Sequence, residues 1–203
     1  MAQRRSTYHH GDLRKALIDA ALSGIAEMGV EAFTLREAAR RAGVSPGAPY
    51  RHFDSKDALL AAVAEECAMR LGAAMDRARD EGAGDVLVHF RRAGVAYVRF
   101  AFDNPSHFRV MAHPAVANHG ALTGGIGSWM QDAARGLREA QNAGLLVAGP
   151  VERLLTFTHA TMHGLAWLVV NDPAMTRARM EQLAEETTEL VGLGLLPRAP
   201  SAD

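Results

Sequence analysis

The sequence predicts an all-α protein on three observations. Almost no stretch alternates apolar and polar residues as a half-buried strand does. Apolar residues recur instead at three- and four-residue spacing, and Gly, Pro, Ser, Thr and Asp fall where helices stop and start. At 203 residues the chain is long enough to bury a sizeable core, as one large domain or two small ones. We expect a first domain over residues 1–60 and a second over residues 61–203.

In the first helix Leu13, Leu17, Ala20, Ala21, Ile25 and Met28 form one apolar stripe, and Gly29 supplies a stop. The second helix opens with Thr34 as N-cap and Glu37 three residues on, the pattern of a capping box, with Phe33 set to pack on Ala38 as a hydrophobic staple. Leu35, Ala38, Ala39 and Ala42 give it a narrow stripe that another helix can approach closely, and Gly43 ends it. A third short helix is predicted directly afterwards, with Ser45 as N-cap and Pro46 at the first helical position, where its missing N–H costs nothing. Two short, separately capped helices joined by Gly43-Val44-Ser45 make a helix-turn-helix, whose second member can enter a major groove.

After Asp54 and Ser55 a long fourth helix is predicted from Lys56 to Arg79, with Leu59, Leu60, Val63 and Cys67 on its inner side, and we expect it to connect the two domains. Further helices are predicted over 85–103 (Val86, Phe90, Tyr97, Val98, Phe102), 106–111, 128–143, 150–171 and 174–193. Asn104-Pro105, Gly144 and Asp172-Pro173 mark breaks between them. Residues 114–127, with four glycines and no regular apolar period, read as a loop, and 197–203 as a frayed tail.

Composition excludes some classes. The 48% hydrophobic and 22% charged content is that of a folded globular chain, not a disordered or fibrous one. The single cysteine, Cys67, cannot form an internal disulfide, and Arg4 and Arg5 are not followed by an apolar signal segment, so the expected compartment is the cytoplasm. Residues 154–171 carry no Asp, Glu, Lys or Arg. Two histidines, three threonines and a glycine in so short a stretch favour a buried or interface helix over a membrane span. Charge is only mildly uneven: nine Lys and Arg face seven Asp and Glu in residues 1–60, against thirteen and sixteen beyond, too little to point to nucleic acid by itself.

The motifs are more specific than the charge. Tyr8-His9-His10-Gly11-Asp12-Leu13-Arg14 leads into the first helix, followed by Thr34-Leu35-Arg36-Glu37-Ala38-Ala39 and Gly43-Val44-Ser45. Tyr50-Arg51-His52-Phe53 and Lys56-Asp57-Ala58-Leu59-Leu60 complete the series. In this order and spacing, over residues 8–63, they resemble the DNA-binding domain of the tetracycline-repressor (TetR) family. Farther along, Thr161-Met162-His163-Gly164-Leu165-Ala166 is similar to the Trp-His-Gly signature of one C-terminal domain of that family, with Met162 standing where tryptophan is usual. The resemblance implies a helical homodimer with two DNA-reading heads and a small-molecule pocket in each body. Most such proteins repress transcription and leave the DNA when ligand binds.

The resemblance further implies that Tyr50, His52 and Lys56 contact phosphates, which set affinity and register but not sequence preference. Base reading is expected from Ser45, Pro46, Gly47 and Ala48 at the start of the third helix and from Arg36, with Arg51 adding to specificity and Thr34 a further DNA-binding candidate. Arg36 can grip guanine O6 and N7 together, and Ala48 can touch a thymine methyl. Gly47 and Ala48 offer almost no side-chain hydrogen bonding and Pro49 removes a donor, so DNA shape and the arm carrying Arg4 and Arg5 are expected to share the discrimination.

In the second domain His159 and His163 stand one turn apart on a helix face, a spacing suited to metal but with no third ligand identifiable, so no metal or other cofactor is expected. With Phe108, Met111, His113, Trp129, Met130, Met162 and Trp167 they are candidates to line a pocket for a largely hydrophobic ligand with one polar group. Leu154, Leu165, Leu183 and Leu190 are candidates for a dimer seam in which the last two helices pair with their symmetry mates. Two other readings stay open: an all-α enzyme using the two histidines, and a DNA-binding protein without an effector.

Overall fold

The computed structural model describes residues 10–117 and 125–197, and every regular element among them is helical. Arg4 and Arg5 lie outside the described residues, as do residues 118–124 of the expected loop and the tail from 198. The helices are α1 (His10–Ala32), α2 (Leu35–Arg41), α3 (Lys56–Arg79), α4 (Val86–Asp103), α5 (Pro105–Met111), α6 (Pro114–Ala117), α7 (Gly125–Asn142), α8 (Val151–Asn171) and α9 (Arg177–Leu195), with a 3₁₀ turn at Pro49–Arg51. They group into two compact units. The described residues within Met1–Cys67 and Ser106–Leu122 form one, those within Ala68–Pro105 and Thr123–Asp203 the other, and the division falls inside α3.

In the first unit Leu17, Ala21 and Ile25 of α1, Phe33, Leu35 and Ala38 around α2, and Leu59, Leu60 and Val63 of α3 are buried. α1 breaks at Gly29, whose φ of 81° is left-handed, and a short helical piece continues to Ala32. The glycine therefore kinks the helix without ending it. Gly24 sits where α1 meets the Phe33 ring, since a Cβ there would lie 2.5 Å from Phe33 Cε2. The end of α2 is a Schellman motif: Val44 N–H bonds to Ala39 O at 3.0 Å and Gly43 N–H to Arg40 O at 3.3 Å, with Gly43 at φ 68°.

Two local expectations change. Thr34 Oγ1 accepts the Glu37 N–H at 3.2 Å as a cap should, but the Glu37 carboxylate does not complete the box, because Arg40 and Arg41 hold it. The expected third α-helix from Ser45 is a run of tighter turns instead. Ala48 N–H bonds to Ser45 O (2.9 Å), Arg51 N–H to Ala48 O (3.2 Å) and His52 N–H to Pro49 O (2.9 Å). Pro49 has no N–H to offer the Ser45 carbonyl four residues back, so the three-residue bond to Ala48 takes its place.

In the second unit α4 packs on α8 and α9, and α7 packs on α8 and α4. Asp85 caps α4 by accepting from the N–H groups of Leu87 and Val88, both at 3.0 Å. Thr176 caps α9, which therefore starts later than expected: the Asp172 carboxylate accepts the Ala174 N–H and holds those residues in a turn. The expected loop contains the short helix α6, and α7 begins before residue 128. Gly94 lets α4 come close to its neighbours, for a Cβ there would meet Thr188 Cγ2 at 2.8 Å and Met162 Sδ at 3.1 Å. No helix among the described residues is long and apolar enough to cross a membrane, which settles the alternative for residues 154–171.

Candidate nucleic-acid interface and ligand cavity

The turn after α2 carries the candidate DNA-contacting side chains on the outside of the first unit. Thr34, Arg36, Ser45, Pro46, Gly47 and Arg51 are exposed, and Tyr50 keeps 53% of its surface open. Ala48, His52 and Lys56 are half-buried, while Pro49 and Phe53 are buried and anchor the turn. An aromatic side chain left open on a small unit, flanked by exposed cations, is the unusual observation here.

Neighbouring arginines divide sharply. Arg40 and Arg41 both hold Glu37, and Arg41 also grips Glu27 with two bonds of 2.8 and 2.6 Å. The hydrogen bonds from Arg40 and then Arg41 keep the Glu37 pKa down at about 2, so the cluster stays ionised and self-neutralised. The side chains of Arg36, Tyr50 and Arg51 make no hydrogen bond or ion pair with a protein group among the described residues. Lys56 donates to the Glu31 carbonyl at 2.9 Å, which fixes its position at the start of α3 and leaves two of its three ammonium protons unassigned to that bond.

The candidate ligand residues are split between the two units. Phe108, Met111 and His113 belong to the first, where Phe108 is 1% exposed and His113 Nε2 lies 3.2 Å from Glu31 Oε1. They do not join a cavity with the others. In the second unit Trp129, Met130, His159 and Met162 line a cavity between α4, α7, α8 and α9, with the end of α3 at its side. Space open to a water-sized molecule is about 50 Å³, inside a depression of about 770 Å³ that includes its open mouth. His163 stands behind this wall, its Nδ1 2.9 Å from the Tyr97 hydroxyl, and Trp167 is 46% exposed and does not line it.

Most of the wall comes from residues that read in the sequence as ordinary core, including Phe90, Tyr97 and Gly94 of α4 and Thr188 and Val191 of α9. A glycine inside the apolar run of α4 was the available signal, because it marks a close approach. Burial pushes the Tyr97 pKa well above its usual value, so its hydroxyl stays protonated, and it shares a hydrogen bond of 2.9 Å with His163 Nδ1 whose donor is set by the imidazole tautomer. His159 is partly exposed, yet the packing around its imidazole holds its pKa below the usual value, and nearby His163 adds to that. His163 is lowered by burial as well. The two rings stack with centroids 5.5 Å apart, and Tyr97 meets His159 edge-on at 6.1 Å. Among the described residues no group of three His, Cys, Asp or Glu is placed to hold a metal ion.

Of the seam candidates, Leu154, Leu165 and Leu183 are half-buried and Leu190 is 68% exposed. Phe157, Trp167 and Leu168 on α8 and Leu193 on α9 are also open in the single chain.

Comparison with known proteins agrees with this geometry. Residues 17–63 match the model of the bacterial regulatory proteins of the tetR family. The whole chain is similar to a protein of unknown function from Rhodococcus sp. RHA1, with 32% identity, a TM-score of 0.73, and 95% of this chain and 100% of that one covered. It shares its fold with a putative tetR family transcription regulator from Shewanella sp. PV-4 (21% identity, TM-score 0.72, 92% and 99% covered). The same holds for the transcriptional regulator FadR from Bacillus subtilis, solved in complex with stearoyl-CoA (19% identity, TM-score 0.74, 89% and 98% covered). By the match of its helix-turn-helix segment, the chain belongs to the tetR family of bacterial regulatory proteins and is a DNA-binding transcriptional regulator.

Proposed function

We propose that this regulator is a homodimeric repressor that leaves a palindromic operator when a small, largely hydrophobic ligand enters the cavity of its second unit. The observation that carries the DNA side is the set Arg36, Tyr50 and Arg51, exposed around the turn with side chains that bond to no protein group among the described residues. On this reading residues 1–60 are the DNA-binding head and 61–203 the ligand-binding and dimerising body. Tyr50, His52 and Lys56 contact phosphates. Thr34, Arg36, Arg51 and the residues from Ser45 to Ala48 face base edges. The protein acts in the cytoplasm beside its DNA and catalyses nothing.

Support for the dimer comes from the open apolar side chains of α8 and α9, Phe157, Leu168, Leu190 and Leu193, which would be covered by their symmetry mates. Two heads related by that symmetry read half-sites about one helical turn, roughly 34 Å, apart. Because α3 belongs to both units, a ligand that favours one arrangement of the body over another can alter that separation, by no more than its differential affinity for the two. The apolar wall with a polar patch supports the ligand class.

Footprinting on the DNA upstream of the protein's own gene, across a salt series, tests this reading. A palindromic protected site is expected, and Tyr50→Ala should weaken binding by about threefold to tenfold at every sequence while the thermal melt stays unchanged. A Tyr50→Ala protein that binds as tightly as the parent removes that residue from the interface.

A further inference from the structure

The cavity wall holds six side chains able to hydrogen-bond through nitrogen or oxygen, and four are already committed. Arg91 is held by Glu185, Tyr97 is hydrogen-bonded to His163, and the Thr158 and Thr188 hydroxyls donate to the Leu155 and Ala184 carbonyls. The imidazole of His159 and the indole N–H of Trp129 make no hydrogen bond with a protein group among the described residues. Among the described residues of the wall, His159 therefore offers an imidazole with donor and acceptor both unused and Trp129 one unused donor, beside the remaining acceptor capacity of Thr158 and Thr188 and the remaining N–H groups of Arg91.

Charge on the ligand fits poorly. Among the described residues of the wall, Arg91 is the one cation and is paired with Glu185, and no Asp or Glu is present to receive an ammonium group. The lowered His159 pKa keeps that ring neutral near neutral pH. A hydroxyl matches what remains, since it donates to the imidazole lone pair and accepts from an N–H. Phe90, Tyr97 and Trp129 supply aromatic surfaces that suit a planar ring body. The small free space is bounded by Met75, Met130 and Met162, whose unbranched thioethers can re-pack around a larger guest.

We propose that the cavity takes an uncharged aromatic alcohol or phenol whose hydroxyl is held by His159, an assignment whose role as the release signal rests on the repressor reading above. His159 is then the residue that separates a hydroxylated ring from its plain hydrocarbon analogue, and Trp129 lines the same cavity with an indole N–H.

Isothermal titration calorimetry on the full chain without DNA, near neutral pH, tests this with 1-naphthol, naphthalene and 1-naphthoate. Naphthol is expected to bind about fivefold to tenfold more tightly than naphthalene, and the anion more weakly than either. His159→Phe should keep naphthalene binding and abolish the preference for naphthol. His159→Gln, which restores a donor and an acceptor, should recover part of that preference, and it serves alone if the phenylalanine variant does not fold. Equal binding of naphthol and naphthalene, tightest binding of the naphthoate, no heat from any of the three, a naphthol preference that survives His159→Phe, or none recovered in His159→Gln would each overturn the proposal. Operator binding is followed separately on the same preparations by fluorescence anisotropy. A naphthol preference without DNA binding would sink the repressor reading and spare the cavity assignment; DNA binding without that preference would do the reverse.

Discussion

The two units treat their polar side chains in opposite ways. In the head, a dense ionic cluster of Glu27, Glu37, Arg40 and Arg41 consumes its own charge, and the exposed side chains of Arg36 and Arg51 beside it have no protein partner among the described residues. In the body most polar side chains of the cavity wall are bonded inward, while the exposed His159 imidazole and the half-buried Trp129 indole line the same apolar cavity without a hydrogen bond to a protein group among the described residues. The difference teaches where to look for binding. At the surface, a charge without a partner is inexpensive and is available for phosphate or base edges. In a cavity, an unsatisfied polar group costs free energy until a guest answers it.

The same substitution placed in each unit should separate them most. Gly24→Ala drives a methyl to 2.5 Å from the rigid Phe33 ring, whereas Gly94→Ala meets a Thr188 methyl and the mobile Met162 sulfur. Both glycines lie within helices, so the gain in helix propensity is alike. We expect Gly24→Ala to cost about 2–3 kcal/mol and Gly94→Ala nearer 1 kcal/mol in urea unfolding. Equal losses would show that the body gives no more readily than the head.

A smaller effect tests the split among the arginines. Arg36→Ala should lose about 1–3 kcal/mol of discrimination at one base pair of each half-site. Arg40→Ala, which removes an exposed and internally paired cation, should change operator affinity by well under 1 kcal/mol. Comparable effects in a binding series over operator variants would erase the distinction between the committed and uncommitted cations.

The smallest effect is in pH. His159 and His163 have folded pKa values below the ordinary 6.5, so the unfolded chain takes up protons first as pH falls through that value, and body stability declines. Glu37, held at about 2 against an ordinary 4.5, contributes stability that persists above 4.5 and is lost only as pH falls from there toward 2. Both tryptophans, Trp129 and Trp167, are in the body, so the fluorescence-monitored melt reports that unit alone. Its midpoint should fall between pH 6.5 and 4.5 by more than the far-ultraviolet circular dichroism midpoint does. Parallel decline would place the histidine contribution elsewhere.

How much was legible in advance follows the range of the signal. The fourth helix over 56–79 and the Thr34 cap are written in a few adjacent residues and stand in the structure as the sequence implies. The tighter turn at Pro49–Arg51 shows a local signal underweighted: Ser45 and Pro46 favour a helix start, but Pro49 withholds the bond that would carry it on. The half-made capping box lost Glu37 to Arg41, a residue already visible at the i+4 position. The cavity is another matter. Trp129, Met130, His159 and Met162 were nameable because aromatic, sulfur-bearing and histidine side chains stand out in a helix, but Tyr97 and Thr188 meet them only through the packing of α4 on α8 and α9. Nothing periodic in one helix records which face of another it will touch. Phe108 and His113 were grouped with that wall by residue type alone, whereas the fold assigns them to the other unit.

The brevity of the Pro49–Arg51 turn carries a consequence for the operator. Three residues at about 2 Å of rise each extend only some 6 Å, less than two steps of base pairs stacked about 3.4 Å apart. On the proposed reading, an element so short adds few letters to those faced by Arg36 and Ser45–Ala48 in each half-site. How readily the operator's steps bend and how narrow its minor groove lies would then carry a share of its information, so operators with little common text can be equivalent if they share a shape.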